Sequence, residues 1–331
     1  MSVNTFGIVG CSKVFEKRFF ISAKKTTKAK ILILGSRNKN KSKKKSNELN
    51  IKHYGNYEDV FKNKQVDTIY ISTPINKRKK LFDLALKYKK NIFCEKPAFS
   101  DYKTANKYYK LFYKNNIMIF DCWMFLFHSQ HQCFKKIFLK EFKNKPFNFK
   151  SDFFYPYPDK NNIRLKKKLK GGVFFDTFGY TLYSSMLFMK KPLEIKSNIN
   201  YDKKLGIDNK FASQIKYENK CKSLLKVKFS KNYKSTYEVY NSEKILRCLR
   251  AYSINTDQIP KIYFKNKITK KSKVFWFNSD DQFKKMINYF SKIIMSNDKK
   301  NYLKYINNSL NFYNIYEKSY KSAINDIKLT L

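Results

Sequence analysis

This sequence predicts an α/β chain in two parts: a doubly wound parallel sheet, then a unit built on an open, mostly antiparallel sheet. Three observations carry that prediction. Up to about residue 121, short apolar runs alternate with helical stretches, the pattern of strand–helix crossover units. From about residue 147 the period changes to the strict alternation of half-buried strands. Glu95-Lys96-Pro97 directly follows the apolar run Ile92-Phe93-Cys94. A lysine at the C-terminal end of a strand points to the crevice where open α/β sheets bind ligands.

Taken in order, Thr5–Val9 is the first strand, and a helix runs from the following turn to about residue 25. Residues 29–34 form the second strand, followed by a lysine-rich helix over 41–50 and a short helix at 57–61. Residues 66–72 form a strand, and Leu81, Leu84, Ala85 and Tyr88 mark a helix over 77–89. Strand 91–94, helix 101–114 and strand 117–120 complete a unit expected to span 1–121. A second unit is expected over 122–331. Its strands fall at 147–153, 193–200, 211–217, 223–230, 235–240 and 261–264, with a helix from Gly172 to Met189. Two amphipathic helices close the chain, one carrying Phe283, Met286, Ile287, Phe290 and Ile294, the other Leu303, Ile306, Leu310 and Tyr313.

The chain has 331 residues, 42% of them apolar, enough for two ordinary domains with real cores. No run reaches the roughly 18 apolar residues that a membrane helix needs, and Met1 to Thr5 leads into a strand without a signal-peptide pattern. Six scattered cysteines read as free thiols of a cytoplasmic protein. The net charge of +46 is spread over the whole chain alongside abundant Asn, Ile, Tyr and Phe. These residues share AT-rich codons, so the charge reads as compositional drift that attracts anionic ligands rather than as a nucleic-acid or membrane surface. His128 and His131 stand three apart with no carboxylate or second ligand pair nearby in sequence, so no metal is expected.

The turn Gly10-Cys11-Ser12-Lys13-Val14-Phe15 stands where such sheets hold a pyrophosphate on backbone amides. Gly10 and Ser12 take the first two small positions of the dinucleotide pattern, and Phe15 occupies the third. With Lys13 and Val14 they are the candidate phosphate loop. The second strand ends in Gly35-Ser36-Arg37, without the carboxylate that receives a ribose diol. A hydroxyl and a guanidinium suit a 2′-phosphate, so Ser36 and Arg37 predict NADP, with NAD as the alternative. Lys96 is the candidate proton donor, because a lysine among cations has a lowered pKa. Arg164, in a basic loop, is a candidate for a substrate phosphate.

These segments, in this order, resemble the glucose–fructose oxidoreductase / inositol dehydrogenase (Gfo/Idh/MocA) family. The matching pieces run from Phe6-Gly7-Ile8-Val9-Gly10 through Tyr57-Glu58-Asp59, Ser72-Thr73-Pro74 and Cys94-Glu95-Lys96-Pro97. They continue through Trp123-Met124-Phe125, Asn162-Ile163-Arg164, Gly171-Gly172-Val173-Phe174-Phe175-Asp176, Gly179-Tyr180 and Gly206-Ile207-Asp208. The resemblance implies a Rossmann domain for NAD(P) and a second domain whose sheet lines the substrate site and makes subunit contacts, hence a homodimer or homotetramer. It implies hydride transfer between the nicotinamide and a hydroxyl or keto carbon of a sugar or nucleotide sugar. Lys96, Asp176 and Tyr180 match the catalytic positions. Thr73, Pro74, Glu95 and Lys96 fall on the cofactor side; Lys96, Trp123, Arg164, Asp176 and Tyr180 fall on the substrate side. The chain departs from the family pattern at Phe15, at Arg78 (often His), at Asp121, at Leu126 and at Lys170, where a glycine is usual. Those departures keep a second reading open, a binding or assembly protein without catalysis. The charge keeps a third, a polyanion-binding protein.

Overall fold

The computed structural model describes residues 3–142 and 145–331. Met1 and Ser2, with which the reading of the N-terminus began, lie outside the described residues. The chain divides into two compact units: residues 1–127 with 281–311, and residues 128–280 with 312–331.

The first unit carries a parallel sheet, as the strand–helix alternation predicts, with six strands where the sequence reading places five. Its strands are β1 (Asn4–Val9), β2 (Ala29–Gly35), β3 (His53–Gly55), β4 (Thr68–Ile71), β5 (Asn91–Cys94) and β6 (Ile119–Asp121), in spatial order β3-β2-β1-β4-β5-β6. The order reverses at β1, so the loops after β1 and β4 flank the crevice where doubly wound sheets take ligands. The helices are α1 (Phe20–Lys24), α2 (Lys39–Leu49), α3 (Tyr57–Lys62), α4 (Lys79–Lys87) and α5 (Tyr102–Lys114). Local caps set their starts: Asn56 and Asp59 form a reciprocal capping box on α3, and Asp101 accepts from Thr104 N at 2.8 Å on α5. β4 is buried along its whole length, as a strand covered on both faces must be.

The second unit carries α6 (Ser129–Phe142), α7 (Gly179–Met186) and a nine-stranded sheet. Its strands are β7 (Asn148–Tyr155), β8 (Pro192–Tyr201), β9 (Asp208–Tyr217), β10 (Lys222–Phe229), β11 (Lys234–Tyr240), β12 (Lys244–Leu249), β13 (Lys261–Asn266), β14 (Ser272–Trp276) and β15 (Leu329–Thr330). The spatial order is β14-β13-β12-β11-β7-β10-β9-β8-β15, and every pairing is antiparallel except β7 with β10. One face is packed: Phe149, Phe211, Ile215, Leu225, Val227, Val239 and Leu246 are fully buried. The other face is open, and a shallow groove lined by Glu194, Lys196, Gln214, Lys216 and Lys226 crosses it.

One difference from the expected 1–121 and 122–331 division has a packing cause. Helix α8 (Gln282–Met295) belongs to the first unit. Its capping residue Asp281 accepts from Ser22 Oγ at 2.8 Å, and its Ser291 Oγ accepts from Asn4 Nδ2 at 3.0 Å. Phe290 stacks on Phe120 at 4.2 Å between centroids. The last helix, α9 (Lys299–Ile324), starts in the first unit and ends in the second. The sequence reading places neither helix α6 nor strands β3, β12, β14 and β15.

Candidate functional site

The cofactor side begins where β1 ends. Gly10 has φ +105°, and a Cβ there would stand 3.0 Å from Ser72 Oγ, which donates to Gly10 O at 3.0 Å. Only glycine joins that backbone to that close approach without strain. Ser12 Oγ accepts from Phe15 N at 3.1 Å and so closes the turn. Val14 caps the helix that follows, and Lys13 is exposed. Phe15 is fully buried, edge-on to Phe20 at 5.9 Å, while Phe19 stacks on Tyr70 at 3.9 Å. The helix admits this bulk by opening with a wide π-turn over Phe15–Phe19, in which Phe20 N donates to Phe15 O.

At the end of β2, Ser36 is buried and its N donates to Gly55 O at 3.1 Å. Arg37 is exposed and hydrogen-bonds the Tyr57 hydroxyl; burial pushes that phenol up while Arg37 pulls it down. Burial also pushes the Cys11 thiol up, against Lys41, a hydrogen bond with Ser36, and Lys45. Ser36, Arg37, Lys41, Cys11 and Tyr57 therefore form one basic, hydroxyl-bearing corner. Asn38 caps α2 there by accepting from Lys41 N at 3.1 Å.

After β4, Thr73 Oγ1 is buried and has no hydrogen-bond partner among the described residues. A buried hydroxyl left in this state suits a polar group brought by a ligand. With the Gly10 approach and the basic corner, it fits a dinucleotide carrying a 2′-phosphate. After β5, Glu95 is buried and accepts from Tyr70 Oη at 2.6 Å. Burial raises the Glu95 pKa, and Tyr70, Lys96 and Arg78 hold it back. Lys96 is half-buried beside it, and Pro97 and Ala98 are buried. Trp123 is buried just beyond β6.

In the second unit a polar cluster stands at the start of α7. Arg164 Nε meets Asp176 Oδ2 at 2.5 Å, and Tyr155 Oη donates to the same oxygen at 2.9 Å. Tyr180, 5% exposed, lies within electrostatic reach of Arg164 and packs edge-on to Phe153 at 5.5 Å. Asp176 holds the Arg164 pKa up. Burial, then Asp176, pushes the Tyr155 phenol well above its ordinary range. Asp176 and Tyr180 thus border one guanidinium, and residues Phe174–Phe178 form a second π-turn.

The N-terminal turn of this helix is capped by a side chain from outside it. Asp208 does that work: its Oδ2 accepts from Phe174 N at 2.6 Å. A Cβ on Gly172, which has φ +108°, would fall 1.9 Å from Asp208 Oδ1, and one on Gly171 would fall 2.4 Å from Arg164 O. The Gly-Gly pair is what lets carboxylate and loop approach. Lys170, where the family pattern has glycine, adopts the left-handed conformation at φ 57°. Its Nζ stands 4.8 Å from the Phe175 ring centroid. The sequence reading gives Tyr155 no role, and Asp208 only a place in the matching segment Gly206-Ile207-Asp208. His131 Nδ1 meets Tyr237 Oη at 2.8 Å, and burial lowers its pKa to about 3, so it packs as a neutral ring.

Family models match at both ends of this description. Residues 4–120 match the oxidoreductase family with the NAD-binding Rossmann fold, and residues 144–247 match the GFO/IDH/MocA C-terminal domain. The chain belongs to the Gfo/Idh/MocA family. It is an NAD(P)-dependent oxidoreductase by that membership. The dTDP-3,4-didehydro-2,6-dideoxy-α-D-glucose 3-reductase of Actinomadura kijaniata is 21% identical over 188 residues, a stretch spanning 57% of each chain. D-xylose 1-dehydrogenase (NADP(+)) 2 of Haloferax volcanii is 20% identical over 252 residues, 76% of this chain and 77% of its own. The crystal structure of a 3-ketoreductase from Actinomadura kijaniata, in complex with NADP and TDP-benzene, superposes with TM-score 0.90 at 18% identity, covering 97% of this chain and 98% of its own. That likeness shows the fold. Among the described residues, no helix is long and apolar enough to cross a membrane.

Proposed function

We propose that this protein reduces a keto carbon of a sugar or nucleotide sugar with NADPH, the reaction running in either direction with its substrates. The observation that carries the proposal is Lys96, half-buried at the carboxyl end of β5 between buried Glu95 and Pro97. When bound, the nicotinamide supplies the hydride. Gly10, Ser12, Lys13 and Val14 offer backbone to the pyrophosphate, Ser36 and Arg37 hold the 2′-phosphate, and Thr73, Pro74 and Glu95 border the ring. Lys96 donates a hydrogen bond to the carbonyl oxygen and polarises it. Tyr180 delivers the proton that oxygen needs, and Asp176, fixed by Arg164 and Tyr155, orients the sugar hydroxyls. Because Asp176 engages Arg164 Nε, a substrate phosphate would meet the rest of that fork. Trp123 is assigned to the substrate side. The relatives that act on dTDP-linked and free sugars support this substrate class.

Lys96→Met is the test, with NADPH oxidation followed on dTDP-linked keto sugars and free aldoses. The variant should lose roughly two to three orders of magnitude in kcat, the scale of losing one charged donor to the developing oxyanion, and should still bind NADPH. Full activity in it would sink the mechanism. Calorimetry of the wild type with NADPH separates the non-catalytic reading, which predicts no binding at millimolar cofactor. The six free thiols suit a reducing cytosol. A homodimer or homotetramer through the open sheet face is also proposed. Lysines crowd that face, so self-association should strengthen with salt. Sedimentation showing a monomer at every ionic strength would reject it.

A further inference from the structure

We propose that Arg78 is a positioning residue for Lys96: its guanidinium fastens the main chain on both sides of that lysine to the Thr73–Pro74 loop. The inference rests on reading Lys96 as the group that hydrogen-bonds and polarises the substrate carbonyl. Arg78 stands at the start of α4, and only 4% of it is exposed. Its Nε and Nη2 donate to Thr73 O at 2.9 and 2.8 Å. Its Nη1 donates to Glu95 O and to Pro97 O, each at 2.5 Å. Glu95 and Pro97 are the residues before and after Lys96.

All four bonds end on peptide carbonyls, so the donors of the guanidinium hold backbone. The plane of a guanidinium presents five N–H groups in a fixed fork. One such group reaches three carbonyls of two loops at once. A lysine ammonium offers three donors on a flexible stem, and an imidazole offers at most two in opposed directions. The segment is gripped from another side as well. Asp121 Oδ1 accepts from Ala98 N, Tyr109 Oη donates to Asp121 Oδ2 at 3.1 Å, and Tyr305 Oη accepts from Asp121 N at 2.6 Å. Carbonyls 95 and 97 are thus held by Arg78 and amide 98 by Asp121. The backbone carrying Lys96 has little freedom to shift, and small misplacements of a catalytic group are costly in rate. Arg78 and Asp121 are two of the positions at which this chain departs from the family pattern, and here they act on the same segment.

The test is Arg78→Lys, which keeps the charge and loses the fork. On a dTDP-linked keto sugar with NADPH, kcat should fall at least about tenfold while the KM for the sugar stays within about twofold, the signature of a contact that acts in the transition state. The limb of the kcat pH profile that Lys96→Met abolishes should move. Amide hydrogen exchange in peptides covering 73–75 and 94–98 should quicken at least about tenfold, with β2 unchanged. Wild-type kcat with an unmoved pH profile overturns the inference. If the wild type reduces none of the sugars offered, the proposed function fails by itself; the exchange measurement then decides this inference, and unchanged rates in both segments refute it. Should Arg78→Lys not fold, Arg78→His carries the same measurements with the same criteria.

Discussion

Asp208→Asn isolates a cost built into the substrate-side unit. Asp208 is 5% exposed, and burial raises its pKa from 3.8 to about 6, with Asp176 adding to the rise and the amides of Phe174 and Val173 opposing it. In the unfolded chain the group keeps its ordinary value, so between pH 4 and 6 the folded protein holds more protons. Stability from this group is therefore complete below about pH 3.8 and is lost as pH rises through 6. A shift of about two units at 1.36 kcal/mol each amounts to about 3 kcal/mol. Asparagine keeps an oxygen for Phe174 N and removes the titration. Urea unfolding of both proteins between pH 4 and 7.5 measures it. The wild type should gain about 2.5 kcal/mol of that relative to the variant on going from pH 7.5 to 4. A difference that stays flat across that range, or that grows in the opposite direction, refutes the reasoning.

Gly172→Ala should cost about 3 kcal/mol or more, because alanine is strained at φ +108° and its Cβ must expel the capping carboxylate; calorimetry reading a melting temperature within a degree of wild type would contradict it. Asp176→Asn should lower kcat by roughly ten- to a hundredfold while changing stability by less than about 1 kcal/mol, since its partner Arg164 is 42% exposed; a large loss of stability with intact kcat would reverse the assignment. Arg37→Ala should weaken NADPH binding by roughly ten- to a hundredfold and leave NADH unaffected, as expected for loss of one charge-assisted phosphate contact. Fluorescence titration with both cofactors reads it, and equal losses would place the 2′-phosphate elsewhere.

Much of the fold was legible because its signals are local. Alternation of apolar runs with helical stretches located five of the six strands of the parallel sheet, the three-residue edge strand β3 being too short to register, and Asn56/Asp59 and Asp101 mark their helix starts. β12 escaped because a six-residue strand with only Leu246 and Cys248 buried gives too few alternations to register. β14 is an edge strand with no fully buried residue, so it has no hydrophobic pattern to read. The division of the chain was harder still, because an amphipathic stripe on α8 says that it packs and not on which sheet. Of the proposed site, Lys96, Asp176 and Tyr180 are named by the family resemblance of their segments. Tyr155, Asp208 and the span of Arg78 could not, because each works through a partner 17 to 34 residues away.

The fork of Arg78 also bears on how this chain spends its positive charge. Six of its 71 basic residues are arginines; lysine supplies the rest. Five of the six stand where planarity counts: Arg37 at the Tyr57 hydroxyl, Arg78 on its carbonyls, Arg164 on Asp176, Arg247 on Glu238 at 2.6 Å, and Arg250 on Gln258 at 3.0 Å over the Tyr233 ring. Compositional drift toward lysine has an outer limit at such places, since an ammonium replaces the charge and not the shape. A chain with all six converted to lysine would still carry +46, and it would lose the hold on the backbone either side of Lys96, the brace on Asp176 and the guanidinium proposed to meet a 2′-phosphate.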